Sequence, residues 1–244
     1  MKNVPPLKNK PPYALESVDN ALRLVQMLRD QGELRVSQAA EELGIARSTA
    51  HRLLAMLVYR DFAQHGANHT YLPGEALSAP PLPSEQARQL REAIAPYAEA
   101  LRDRTGETVN LMVLQGTQVR FLYSAESDQA LRVSNRQGTV LPAWLASGGQ
   151  ALLAELPPAA RTGLPEDALL KIETARRRGY GENVEDTESG VCAVGMCVHD
   201  SDGVPHAALA ISVPSVRYRS SRVPDLVGEL RSAVSEARGA WEYK

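Results

Sequence analysis

The stretch SQAAEELGIARSTAHRLLAMLVY, Ser37 to Tyr59, constrains this chain more than any other part of it. Two short runs with helical apolar spacing meet at Gly44, and Ala39, Leu43, Ile45, Ala50 and Leu53 fall where two crossing helices must pack. Small Ala39 and Ala50 permit a steep, close crossing, and glycine is a common turn residue in such a pair. The second run turns Arg47, Ser48, Thr49, His51 and Arg52 outward. From Leu43 to Arg60 there are three arginines and no carboxylate. Solvated helix faces usually mix both signs, because opposite charges three or four positions apart support the helix. A face of one sign suits an anion. In a helix-turn-helix the N-terminal part of the second helix enters the major groove of duplex DNA. Arginine grips guanine by two bonds, serine and threonine meet bases or phosphates, and histidine does either.

The segments around this pair complete a unit. LESVDNALRLVQMLRDQG carries Val18, Leu22, Val25 and Leu28 on one stripe and stops at Gly32, which predicts a helix packed through that stripe. Ser37 stands where an N-cap would start the next helix. Phe62 and Tyr71 flank a polar turn with Gly66 and Asn68, the pattern of a short β-hairpin wing. His65, Asn68 and His69 on that wing, and Lys8 and Lys10 on a proline-rich basic arm, lie within reach of a DNA backbone. The DNA-binding candidates are therefore Ser37, Arg47, Ser48, Thr49, His51, Arg52 and His69.

SAPPLPS, Ser78 to Ser84, marks a boundary. Beyond it SEQARQLREAIAPYAEALRDRTG reads as a helix bent or restarted at Pro96, and TVNLMVL, QVRFLYS and ALRVS have strand composition. A helix near GGQALLAEL, another over LLKIETARRRGY, two strands joined at Asp202-Gly203 and a last helix from about Pro224 to Trp241 follow. The expected division is a flexible arm over 1–13, a winged helix-turn-helix domain over 14–76, a linker over 77–90 and an effector-binding and oligomerisation domain over 91–244. The fold class is α+β.

The motifs SVDNALRLVQML, SQAAEELGIARSTAHRLLAMLV and YLPG resemble the winged helix-turn-helix of the IclR family of bacterial transcription regulators. GETVNLMVL, LPAWLASGGQALLAEL, RRRGYGENVEDTESGVCAVGMCV and AALAISVP resemble that family's C-terminal domain, so the likeness runs from Leu15 through nearly the whole chain. It implies a GAF/PAS-like effector-binding domain, an antiparallel sheet flanked by helices. It also implies a homodimer or dimer of dimers on double-stranded operator DNA, and regulation by a small organic acid. Some positions depart from the family pattern. Asn20 replaces a common arginine, HGANHT replaces an acidic-glycine wing turn, SAPPLPS interrupts the linker, and Ser212-Val213-Pro214 is shorter than the usual Ser-Val-Ser-Gly-Pro.

Within the second domain, Ser147 with Gln150 three residues on fits a capping box before an apolar helix. Glycines at a helix N-terminus expose N–H groups and the positive dipole end, which suits a carboxylate. Gly148 and Gly149 are the expected backbone anchors, with Trp144 to stack on a ring or narrow the cavity. The family resemblance adds Asn183, Ala193 and Ser212 as ligand-lining positions. The effector-binding candidates are thus Trp144, Ser147, Gly148, Gly149, Asn183, Ala193 and Ser212, while Met112 and Met196 read as core.

Other classes fare worse. Ser147, His199 and Asp200 evoke a hydrolase triad, but no G-x-S-x-G surrounds the serine. Asp186 and Glu188 read as a solvated acidic pair, and SGGQ has no phosphate loop to accompany it. Cys192 and Cys197, five apart on one strand, face opposite ways, and no metal motif accompanies them. No cofactor is expected. The basic N-terminal arm lacks a secretion signal, and Pro142, Gly148 and Gly149 interrupt the uncharged stretch from Gln137 to Ala154, so no membrane partner and a cytoplasmic location are expected. The competing reading is a small-molecule-binding enzyme or sensor module without a specific DNA target.

Overall fold

The computed structural model describes residues 11–78 and 84–241, which divide into two units after Ser78. The first unit begins with α1 (Glu16–Gln31), β1 (Leu34–Arg35), α2 (Val36–Leu43) and α3 (Arg47–Tyr59). It ends with β2 (Ala63–His65), β3 (Thr70–Pro73) and α4 (Glu75–Ser78). Gly44 closes α2 in the left-handed region (φ 69°), its N–H bonding the carbonyls of Ala40 and Glu41. That conformation is open to glycine at little cost, and it swings the chain sharply into α3. Leu24, Leu28, Leu34, Ala39, Ala50 and Leu54 are fully buried where α1, α2 and α3 meet. Each leucine removed from water contributes roughly 1.5–3 kcal/mol.

The small sheet runs β1-β3-β2, all antiparallel, with Leu34 opposite Tyr71 and Ala63 opposite Pro73. The wing between β2 and β3 turns through Asn68 (φ 54°) and His69 (φ 59°). Two successive left-handed residues match the twist of a tight hairpin.

Three expectations for this unit change. α1 packs through Asn20, Leu24 and Leu28, while Val18 and Leu22 remain 50% and 59% exposed. The helix carries more apolar residues than its own core accepts: Val25 and Leu28 of the expected stripe pack inward, and Val18 and Leu22 do not. Ser37 is the second residue of α2, not its N-cap: Arg35 occupies the cap and no side chain bonds there. β1 was not anticipated, because two residues are too few for an alternating pattern.

The second unit is built on a six-stranded antiparallel sheet in the order β6-β5-β4-β9-β8-β7. Its strands are β4 (Thr108–Gln115), β5 (Gln118–Ala125), β6 (Val140–Pro142), β7 (Gly181–Val184), β8 (Val191–His199) and β9 (Pro205–Pro214). The helices are α5 (Ser84–Thr105), α6 (Ser147–Glu155), α7 (Glu166–Arg178) and α8 (Val223–Glu236). The strands alternate two apolar sets. Val109, Leu111, Val194, Leu209 and Ile211 meet Ile94, Leu101 and Leu230 of α5 and α8. Met112, Phe121, Cys197, Ala208 and Ala210 meet Leu153 and Ile172 of α6 and α7 on the other face. Covering both faces explains why these strands read as nearly continuous apolar runs. Cys192 and Cys197 are free and buried, and burial raises both thiol pKa values, which keeps them protonated.

Again some boundaries move. Ser84–Leu90, expected within the 77–90 linker, begins α5, and Leu90 joins the core. Residues 79–83 of the proline-rich linker and most of the 1–13 arm lie outside the described residues. α5 continues through Pro96, flanked by buried Ile94 and Ala98, so packing outweighs the lost helix bond. ALRVS forms no strand and belongs to a long loop that leads to β6.

Candidate functional site

The outer face of α3 is bare. Arg47, Ser48, Thr49, His51 and Arg52 are all exposed, and none of their side chains has a hydrogen bond or ion pair among the described residues. Ser37 and His69 share that condition. The neighbouring helix face is different. Gln38 donates to Gln31 at 2.8 Å and to Glu42 at 3.2 Å, and Arg23 donates to the Glu42 carbonyl at 3.2 Å. Ala46 is the N-cap of α3, so no side chain occupies the first free N–H groups of that helix. Sequence reasoning stopped too early along α3. Met56 and Tyr59 are 56% and 63% exposed, and Ser48, Arg52, Ala55 and Tyr59 follow one line at helical spacing. Steps of four and then three residues past Arg52, to Met56 and Tyr59, were the signal that would have found them.

A cavity of about 20 Å³ lies where the start of α6 meets the sheet. It is lined by Met112, Phe121, Arg136, Ala146, Ser147, Asn183, Thr187, Val191, Ala193 and Ser212. That volume holds about one water. Of the sequence candidates, Ser147, Asn183, Ala193 and Ser212 meet there; Trp144, Gly148 and Gly149 do not line it. Trp144 packs among the partly buried residues beside α6, and its carbonyl accepts the Gln150 side-chain amide at 3.0 Å. Gly149 lies on the Ala143 backbone, where a Cβ would come within 2.2 Å of the Ala143 carbonyl oxygen. Gly148 faces Gly195: a Cβ on Gly195 would sit 2.4 Å from the Gly148 nitrogen. Gly148 and Gly195 let α6 lie directly on the sheet, and Gly149 lets it lie against the turn that precedes it.

The capping box is absent. Ala146 is the N-cap of α6, and Gln150 spends its side chain on the Trp144 carbonyl and the Glu182 N–H. Ser147 Oγ is left buried without a partner, in a residue only 1% exposed. An unpaired buried hydroxyl is uncommon and costly. Around it runs a polar chain in which only Ser212 was among the sequence candidates. The Arg136 N–H donates to Ser124 Oγ at 3.1 Å, Ser124 Oγ donates to Asn110 Oδ1 at 2.5 Å, and Asn110 Nδ2 donates to Ser212 Oγ at 2.9 Å. Asn183 holds the next loop, donating to Thr187 Oγ1 at 2.9 Å and accepting the Asp186 N–H at 2.8 Å. The signal was available: Thr108 and Asn110 are alternate polar residues in an otherwise apolar strand.

Arg136 is the charged member of the lining. Its side chain is only 15% exposed and its guanidinium pairs with Glu188, whose side chain is 59% exposed. The wider groove of about 510 Å³ lies elsewhere, between Met196–His199, Arg176, Arg231 and Arg238, and contains none of the predicted effector residues. Among the described residues no cluster of His, Cys, Asp and Glu is arranged to hold a metal, and no helix is long and apolar enough to cross a membrane.

The IclR helix-turn-helix domain family matches residues 17–66, and the bacterial transcriptional regulator IclR C-terminal family matches 85–164 and 159–237. The chain belongs to the IclR family. It is 27% identical to the acetate operon repressor of Salmonella typhimurium over 255 residues, covering 93% of this chain and 90% of that one. It is 24% identical to the transcriptional repressor IclR of Escherichia coli over the same shares. The Thermotoga maritima IclR crystal structure has the same fold, with a TM-score of 0.58 and 21% identity over 92% of this chain and 98% of that one. An IclR homolog of Microbacterium hydrocarbonoxydans, solved with 4-hydroxybenzoate, gives 0.58 and 23% over the same shares. As an IclR-type protein the chain is a DNA-binding transcriptional regulator and not an enzyme, as its relatives' names as regulators and repressors indicate.

Proposed function

We propose that this IclR-family regulator binds an inverted-repeat operator as a homo-oligomer and that a small carboxylic acid, aromatic acids included, tunes its affinity. The observation that carries the first part is the acid-free, unpartnered outer face of α3. Arg47 and Arg52 supply bidentate donors for guanine, Ser48, Thr49 and His51 supply shorter polar contacts, and Ala55 or Met56 offers apolar contact to a thymine methyl. Ser37 at the start of α2 and His69 on the wing meet the flanking backbone. The surplus apolar stripe of Val18 and Leu22 on α1, with Leu15 at its N-cap, supports pairing with a second copy, since a contiguous exposed apolar face marks an interaction surface.

For the effector, the α6 N-terminus and the unpartnered Ser147 hydroxyl supply donors, and Asn183, Ala193 and Ser212 complete the lining. The 4-hydroxybenzoate complex of the Microbacterium homolog supports an acid of that size class. A cavity of about 20 Å³ must widen to admit one, so binding and conformational change are coupled, and the ligand shifts operator affinity only through its preference for the widened form. The test is gel retardation of the protein's own upstream DNA with and without added acids. Retardation that an acid alters is the expected result. Failure to retard that DNA, or any duplex, would favour a sensor module without a DNA target.

A further inference from the structure

We infer that Glu188 is a built-in competitor for the effector's acid group, and that Arg136 is the side chain for which the two compete. This rests on the effector reading above and names its chemistry: a ligand carboxylate takes over the guanidinium that Glu188 holds in this structure.

Three observations lead there. Arg136 is the single charge among the cavity-lining residues, and its backbone N–H is anchored to Ser124 Oγ at 3.1 Å at the end of the buried polar chain through Asn110. Its main chain is therefore held by β5 of the sheet. The loop opposite carries three carboxylates, of which two are committed locally. Glu185 accepts the Gly190 N–H at 2.6 Å, and Asp186 pairs with Lys171 of α7 at 2.6 Å. Glu188 alone crosses to Arg136, beside the cavity-lining Thr187.

The pair is also lopsided. The Arg136 side chain is 15% exposed and that of Glu188 59%, so Glu188 has open solvent to turn into and Arg136 has far less. Removing one carboxylate without supplying another would strand a nearly buried cation. An acid ligand supplies the replacement; its neutral amide does not. The exchange gives a preference for anions that a purely apolar cavity lacks, and it lowers affinity by the free energy of the internal pair. For a pair with one exposed partner that amounts to a few-fold.

The experiment uses the full chain, calorimetric titration with 4-hydroxybenzoate and 4-hydroxybenzamide, and acetate titration followed at the Arg136 Nε resonance. In Glu188→Gln, 4-hydroxybenzoate is expected to bind about fivefold tighter, with the amide unchanged within about twofold. Acetate should saturate the Arg136 shift at a correspondingly lower concentration. In Arg136→Gln the preference for acid over amide should vanish. If 4-hydroxybenzoate binds wild type and Glu188→Gln equally, the competition is refuted and the effector reading stands. An Arg136 resonance that acetate leaves unmoved in Glu188→Gln refutes it too, whether or not 4-hydroxybenzoate binds. An acetate response together with acids that never alter DNA retardation supports the Arg136–Glu188 exchange and overturns only the regulatory reading.

Discussion

The outer face of α3 and the cavity beneath α6 are both polar, and they are satisfied in opposite ways. Arg47, Ser48, Thr49, His51 and Arg52 are exposed and unpartnered among the described residues, with water as their only company. Asn110, Ser124, Asn183 and Ser212 are buried and bonded to one another or to the adjoining loop, and Ser147 Oγ beside them has no partner among the described residues. Water supports exposed polar groups at no cost, whereas buried ones need protein partners. A partner at α3 therefore meets a finished surface and displaces solvent. A ligand at the cavity must open space and enter an existing network, so its measured affinity is a net quantity.

The largest expected effect tests the exposed side of that contrast. The Arg47→Ala/Arg52→Ala double variant should lose roughly 2–6 kcal/mol of operator affinity in gel retardation, about 1–3 per side chain, with an unchanged urea midpoint. A lowered midpoint would mean that the face also supports the fold, and the contrast would fail. Asn110→Ala probes the buried side. It leaves Ser124 and Ser212 without their shared partner and should cost about 3 kcal/mol of stability by urea denaturation. Gly195→Ala should cost about 2 kcal/mol, because its Cβ would press on the Gly148 backbone.

The smallest effect concerns a polar pair that belongs to neither set of residues. Asp200 accepts the Val204 N–H at 2.7 Å and faces His206 at 2.7 Å, contacts that hold its carboxylate pKa below the ordinary value. A depressed folded-state pKa stabilises above the unfolded value, about pH 4, and that stabilisation fades as pH falls through the folded value. The difference in urea midpoint between wild type and Asp200→Asn should thus be greatest above about pH 4 and close below it.

How much of this was legible follows from the same contrast. The helix pair, the Gly44 turn, the wing and the outward set on α3 could be read because each depends on local spacing and on which residues stay in water. The two-faced sheet was legible as strands from its apolar runs, although ALRVS has the same composition and lies in a loop. The cavity was only half legible. Ser147, Asn183, Ala193 and Ser212 meet there, yet Gly148 is taken up by packing on the sheet and Gly149 by packing on the Ala143 turn. Arg136, Asn110 and Ser124 come from a loop and two strands whose register no short motif encodes. α1 shows a related limit: periodicity detects an apolar stripe without saying whether a protein's own core or a second molecule will cover it.

The wing tip has a consequence for engineering. His69 sits at φ 59°, a backbone geometry that costs an ordinary L-residue roughly 1 kcal/mol and glycine almost nothing. Its imidazole is exposed and contributes no bond to the fold among the described residues. A His69→Gly substitution should therefore make the hairpin sturdier while removing the side chain proposed to meet the phosphate backbone. Thermal resilience and affinity would then move in opposite directions at a single position.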